Sequence, residues 1–282
     1  IICLQSGPSS KEDYFADMKR KLKRHHSRSG IDSQSLCEAS HEAWIHLYRG
    51  HPYSRETQIS YYLEGELSIF ALDAELRKRS NGESGVGDLM AELYHKHNIN
   101  VETKRDRGIQ YKDIRKALTS LRGGRRLGSF LDELTTKKGV LDLDKAFSLF
   151  GIPYESSKTK ERRDGTENSA WKDFEQGWLG INVRNQNNKL LVASHLQESP
   201  VREHLQVGDE LIAINDQRIT SSEQLKTALK GKTEGEITIL YSRSSIVQKV
   251  NVTPINEPKA PTVSACEGNR FWKATTRTLQ KS

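Results

Sequence analysis

Apolar residues recur at helical spacing through the first half of the chain. Tyr14, Phe15, Met18 and Leu22 mark one face of a helix, and Ser10 with Asp13 three positions later gives it a capping-box start. A second helix is predicted over SQSLCEASHEAWIHLYR, where Leu36, Ala39, Ala43 and Leu47 share a face and Gly50 stops the pattern. A third begins near Thr57. Ile59, Tyr62, Leu63, Leu67, Phe70 and Ala74 keep its period, and Asn81-Gly82 ends it. Shorter helices fit GDLMAELYHKH, YKDIRKALTSL, LGSFLDEL and LDKAFSLFG. Nothing before Pro153 alternates like a strand, so residues 1–154 are expected to form an all-α unit.

The pattern then changes. Residues 155–170, ESSKTKERRDGTENSA, hold no large apolar side chain and read as a linker. From residue 171 to 255 the period falls to two. WLGINV, KLLVASH, ELIAIN, ITILYS and VQKVNV are short strand-like runs bounded by turn residues, with one helix, SSEQLKTALK, between them. Residues 256–282 show no period and are expected to be a flexible tail. The fold class is therefore multidomain α and β, a helical unit followed by a small β unit.

Length and charge narrow the reading. The 282 residues suggest about two domains. Cys3, Cys37 and Cys266 are too few and too scattered for a disulfide scaffold, and favour a reducing, cytoplasmic setting. An export signal upstream would make a periplasmic setting possible. No run approaches the roughly 20 apolar residues of a membrane span. The net charge of +7 concentrates in KRKLKRHHSR, LRGGRR and KTKERR. No aromatic interleaving or nucleic-acid motif accompanies these runs, so they read as solvated faces, His25 and His26 included, and no specific nucleic-acid partner is expected.

The β unit resembles a PDZ domain over about Trp171–Pro254. Trp178-Leu179-Gly180-Ile181 stands where such domains carry their carboxylate-binding loop. Ser199-Pro200, Leu205-Gln206-Val207-Gly208-Asp209 and Leu211-Ile212-Ala213-Ile214-Asn215 follow in the order found in bacterial members. The resemblance implies a PDZ-type β-barrel that binds peptides or protein C-termini. The strand from Ile181 would pair with an added peptide strand, and Leu225 and Leu229 of the following helix would form the other wall. Leu225 and Leu229 lie one turn apart and equally suit a core. In that case the unit only packs against its neighbour.

The helical half is similar to the glycyl aminopeptidase family of zinc metallopeptidases, in which a thermolysin-like catalytic domain precedes a PDZ domain. The residues that carry the likeness are QSL.EAS..AWI..YR, ISYY.EG.L…LD..LR and NG…..DLM..L, with the PDZ-like block behind them. The resemblance implies a metallo-aminopeptidase whose zinc is held by H-E-x-x-H and a downstream Glu. Neither occurs here. His41 and His46 are i and i+5, about 140° apart on a helix at 3.6 residues per turn. A zincin needs i and i+4. His95 and His97 also point apart. No metal site is expected in this chain, and zinc is expected only in the full-length family member.

By the same resemblance, Tyr62 of Tyr62-Leu63-Glu64-Gly65 matches the tyrosine that stabilises the oxyanion of the tetrahedral intermediate. Glu64 departs from that stretch, standing where the family usually carries Lys. A phenol suits the role as a neutral donor at pH 7. The plainer role for Tyr62 is a packed aromatic on the helix stripe, with Tyr61 exposed.

Two functions follow. The chain begins at Ile1 rather than Met, so it is expected to be the C-terminal fragment of a metallo-aminopeptidase-like protein. Such a fragment is inactive without its N-terminal catalytic portion. The alternative is a non-catalytic PDZ-containing scaffold that binds peptides. No G-x-S-x-G context supports a serine protease.

Overall fold

The computed structural model describes residues 10–46, 49–97, 108–156, 177–233 and 235–276. The first helix, α1 (Lys11–His26), starts on the expected capping box, with Ser10 and Asp13 each accepting from the other's backbone N–H. The predicted second helix is broken. α2 (Leu36–His41) ends at Glu42 and α3 (Ala43–His46) follows, while Leu47 lies outside the described residues. Residues near Thr57 form a separate short helix, α4 (Ser54–Thr57). The central helix, α5 (Tyr61–Arg79), starts four residues later than predicted, because the Ser60 hydroxyl caps it by accepting from Leu63 N–H. Around it stand α6 (Val86–His97), α7 (Tyr111–Ser120), α8 (Leu127–Thr136) and α9 (Leu143–Phe150).

α5 is enclosed by two apolar clusters. Leu63, Leu67, Phe70, Ala71 and Ala74 face one, with α1 and α9. Leu72 and Leu76 face the other, with α6, α7 and α8. Enclosure on both sides buries charges as well. Asp73 is satisfied by Arg77, by the Val86 N–H and by the Thr275 hydroxyl. Glu75 pairs with Arg79 and Lys145. Burial pushes the Glu75 carboxyl up, yet those two cations outweigh it and hold it below its usual value.

The expected flexible tail is instead part of the helical unit. β1 (Tyr154–Glu155) pairs antiparallel with a late strand at Thr262–Val263, and a last helix spans Arg270–Thr275. Asn269 caps that helix by accepting from the Phe271 and Trp272 N–H groups. Trp272, 1% exposed, packs among Tyr14, Phe15, Phe70 and Phe150. A six-residue helix is too short to show a period, so this element left no pattern in the sequence. The helical half is accordingly not wholly α. Most of the expected linker, residues 157–170, and the last residues, 277–282, lie outside the described residues.

The sheet unit holds β2 (Gly177–Trp178), β3 (Ile181–Gln186), β4 (Lys189–His195), β5 (Glu210–Ile214) and β6 (Gln217–Arg218). After α10 (Ser222–Leu229) come β7 (Ile237–Arg243), β8 (Ile246–Val252) and β9 (Ile255–Asn256). The late strand Thr262–Val263 is β10, and the last helix is α11. The main sheet runs β3-β4-β5-β7-β8 with β6 on β5, and β2 pairs with β9. β3 and β8 do not meet, so the sheet is open and the expected barrel is not formed. Three tight hairpins use consecutive left-handed residues, Asn187-Asn188, Asn215-Asp216 and Ser244-Ser245, which match the strand twist. The buried Asp209 accepts from Arg243 at 2.7 and 2.9 Å and from the Gln206 N–H at 2.7 Å, pinning the loop before β5.

Candidate peptide groove and the junction behind it

β3 is an outer strand, and β4 is its one bonded neighbour among the described residues. The Trp178–Ile181 turn leads into it. The Leu179 carbonyl accepts from the Ser199 hydroxyl at 2.8 Å, and the Gly180 carbonyl accepts from Leu196 N–H at 2.7 Å. In a trans peptide the next N–H points opposite to the carbonyl. The Gly180 and Ile181 N–H groups therefore face away from residues 196–199. Gly180 has φ +64, and a Cβ there would stand 2.5 Å from Ser199 Cα. Only glycine fits this turn without moving the wall behind it.

The structure brings the sequence-predicted peptide residues together. Leu179, Leu225 and Leu229 are buried in one apolar cluster, with Ile181 and Val183 half-buried against it. Trp178 is half-buried, and its ring edge lies 2.8 Å from where a Cβ on Gly180 would stand. α10 borders this cluster, and its C-terminal end lies so close to β2 that a Cβ on Gly177 would stand 2.8 Å from the Leu229 carbonyl oxygen. Among the described residues an open strand edge and a turn with outward N–H groups thus stand beside the cluster that takes in Leu225 and Leu229, whose burial is also what a core position gives. Ser199 appeared in the sequence only as part of a Ser-Pro match, and its hydroxyl's grip on Leu179 had no signal of its own.

Behind this groove the two units are joined. Glu56 of α4 accepts at one oxygen from the His195 backbone N–H at 2.8 Å and faces His195 Nδ1 at 2.9 Å. Its other oxygen lies 3.5 Å from Arg202. His195 and Glu56 are both buried. A carboxylate at Nδ1 places the ring proton there. Sequence reasoning missed this pair, because its members are 139 positions apart.

Tyr62 stands 67% exposed on α5, its ring tilted 32° against Tyr61 at 4.2 Å between ring centroids. Tyr62 thus leaves the apolar stripe on which the helical period placed it, while Leu63 and Glu64 are buried. The departure at Glu64 has a local partner. Its two oxygens lie 2.9 and 3.0 Å from His25 Nδ1, and His25 is 5% exposed. His25 is therefore a buried partner of α5 rather than part of a solvated face. His26 stands beside it and meets the Tyr154 hydroxyl at 2.6 Å.

Zinc is the metal the resemblance implies. Among the described residues no three His, Cys, Asp or Glu side chains gather as ligands. His41 is exposed, and His46 Nε2 lies 3.4 Å from Glu42. These residues do not fit a zinc centre. Among the described residues no helix is long and apolar enough to cross a membrane.

The comparisons with known proteins agree with this layout. Residues 1–68 match the model of the M61 glycyl aminopeptidase family, and residues 177–253 match that of the PDZ domain. An aminopeptidase N family protein from Idiomarina loihiensis has the same fold, with TM-score 0.74 and 21% identity over 97% of this chain and 45% of its own. The chain thus spans less than half the length of that protein. A PDZ domain of a carboxy-terminal protease from Vibrio cholerae, solved with peptide, shares 13% identity over 28% of this chain and 93% of its own, with TM-score 0.24. No curated protein sequence matches the chain.

Proposed function

We propose that this chain is the rear part of a peptidase-like protein, and that its sheet unit binds the C-terminal end of extended peptides. The free edge of β3 beside the Gly180 turn carries the reading. A peptide laid along β3 pairs its backbone with the open edge, and its terminal carboxylate meets the Gly180 and Ile181 N–H groups. Its last side chain enters the apolar space between Ile181 and α10. The junction through Glu56 uses β4, the opposite neighbour of β3, so among the described residues the packing of the two units leaves the edge open.

For the longer protein the reading is metallo-aminopeptidase activity. Its support is the M61 match and the shared fold over less than half of a larger chain. Zinc would belong to residues other than those described here. Tyr62, exposed at the start of α5, is the donor proposed for the oxyanion. Joining this chain to its upstream reading frame and assaying glycyl and alanyl anilides tests that part. Activity that survives Tyr62→Phe undiminished would remove Tyr62 from the chemistry.

The groove is tested by titrating the chain with C-terminal peptides ending in an apolar residue, followed by amide shifts and Trp fluorescence. Shifts at Gly180, Ile181 and Val183 are expected. Amidating the peptide terminus is expected to weaken binding at least tenfold, since charge-assisted bonds contribute about 1.5–3 kcal/mol each. Gly180→Ala is expected to abolish binding while the sheet unit stays folded. Equal binding of acid and amide peptides would sink the proposal.

A further inference from the structure

A cavity of about 350 Å³ opens at the junction of the two units. The helical unit lines it with Arg24, Ser27, Arg28 and Arg55, and the sheet unit with Asn182, Ser194, His195 and Leu196. Arg24 belongs to the last turn of α1, Arg28 follows that helix, and Arg55 belongs to α4. Among the described residues no carboxylate lies within ion-pair distance of these three arginines. Elsewhere the structure pairs its basic side chains readily, as Arg77, Arg79, Arg115 and Arg243 show. Here it gathers three positive charges and leaves them to one another.

The cost falls on Arg28, which is half-buried, while Arg24 and Arg55 are exposed. Burial holds Arg28 below the usual arginine range, and the charges of Arg24 and Arg55 lower it further, against the single opposing acid, Glu64. His195, on the same wall, has its Nδ1 proton taken by Glu56, so its buried, unpartnered Nε2 is an acceptor and would take an N–H from a neighbouring arginine rather than meet the anion. Arginine forks suit planar or tetrahedral oxyanions, which accept two N–H groups from one guanidinium. One oxyanion held between them would answer Arg28 and its two exposed neighbours together.

The place of the cavity says what carries the anion. Asn182 is the β3 residue on its wall, and the Asn182 amide is held toward Ser194 at 2.9 Å. Ile181 and Val183 turn to the apolar cluster, so Asn182 stands on the opposite face of the strand. A peptide paired along β3 alternates in the same way. If its last side chain enters the apolar space beside Ile181, the preceding one projects on the Asn182 face. We infer that the Arg24–Arg28–Arg55 cavity is an oxyanion site that receives an acidic side chain at the penultimate position of a peptide bound on β3. This rests on the groove proposed above, and it gives that groove a substrate class, peptides ending in an acidic residue followed by an apolar one.

The test uses the whole chain and two peptides that differ only by Glu or Gln at the penultimate position. The Glu peptide is expected to bind about tenfold more tightly at low salt, by the ordinary worth of a charge-assisted contact. The preference is expected to shrink as salt rises. Arg28→Gln is expected to remove the preference and leave the affinity for the Gln peptide unchanged. Arg55→Gln and Arg24→Gln, at less buried positions, repeat the measurement should Arg28→Gln unsettle the fold. Inorganic phosphate is titrated separately, read by the His195 ring resonances. Equal affinity for the two peptides in the native chain overturns the inference. So does a Glu preference that survives all three arginine substitutions. If neither peptide binds but phosphate moves the His195 signals in an Arg28-dependent way, the groove fails and the oxyanion site stands with a free anion as its occupant. If neither peptides nor phosphate bind, both fail.

Discussion

Two buried histidine–glutamate pairs hold this molecule, and they do different work. His25 and Glu64 join α1 to α5 inside the helical unit, 39 positions apart. His195 and Glu56 join the sheet unit to α4, 139 positions apart. In each pair the carboxylate meets Nδ1 at about the same distance, 2.9–3.0 Å. The first lies beside the apolar cluster that encloses α5, so it shares the fate of that core. The second has only the junction around it, and Arg202 at the edge. One chemistry therefore serves once to stabilise a fold and once to orient two folds.

The comparison is broken most directly at the helical pair. Glu64→Ala leaves His25 buried without its partner, and removing one member of a buried pair costs about 3–5 kcal/mol. Denaturant unfolding of the whole helical unit is expected to report that loss. Glu56→Ala is expected to cost less, about 1–3 kcal/mol, the penalty of orphaned buried donors. Its main effect is expected in the relative orientation of the units, read by small-angle scattering or residual dipolar couplings. Equal losses for the two variants in one cooperative transition would show that the junction belongs to the core after all. The smallest effect concerns acid. The Glu75 carboxyl is held below its usual value in the folded chain, so its stabilisation is present above that value and is lost as pH falls through the lowered one. Glu75→Gln is expected to lower stability at neutral pH, with the difference from the native chain fading in acid. A difference that stays constant down to pH 3 would refute the assignment.

Much of the architecture was legible, and the reasons are local. The Ser10 cap, the stripe on α1 and the switch from helical to alternating period at the sheet unit each lie within a few residues. The turn before β3 was legible through Gly180, where nothing larger fits without moving the wall behind it. What stayed hidden depended on distant partners. Tyr62 kept the helical period, yet α5 turns it outward while Glu64, a charge, is taken in by His25. Trp272 follows a run without pattern, and only the aromatic cage of Tyr14, Phe15, Phe70 and Phe150 explains its burial. The basic run that ends in Arg28 read as a solvated face, and Lys19, Arg20, Lys23 and Arg24 are indeed exposed, but nothing nearby in sequence shows that His25 is taken in by Glu64 or that Arg28 shares a cavity wall with Arg55 and His195.

The pairing of β1 with β10 has a consequence for how the sheet unit is held. The chain leaves the helical unit at Glu155 and re-enters it at Thr262 through adjacent antiparallel strands, and Lys11 and Glu267 near the two ends form an ion pair. The sheet unit is thus a loop spliced into the helical unit, not a bead on a string. Tethered twice, it cannot diffuse from the junction even when Glu56 lets go. Its local concentration beside α4 stays high, so the junction re-forms as an intramolecular event. A pull on the two ends would be borne first by α1, α11 and the strand pair, and the edge of β3 would stay outside the line of force.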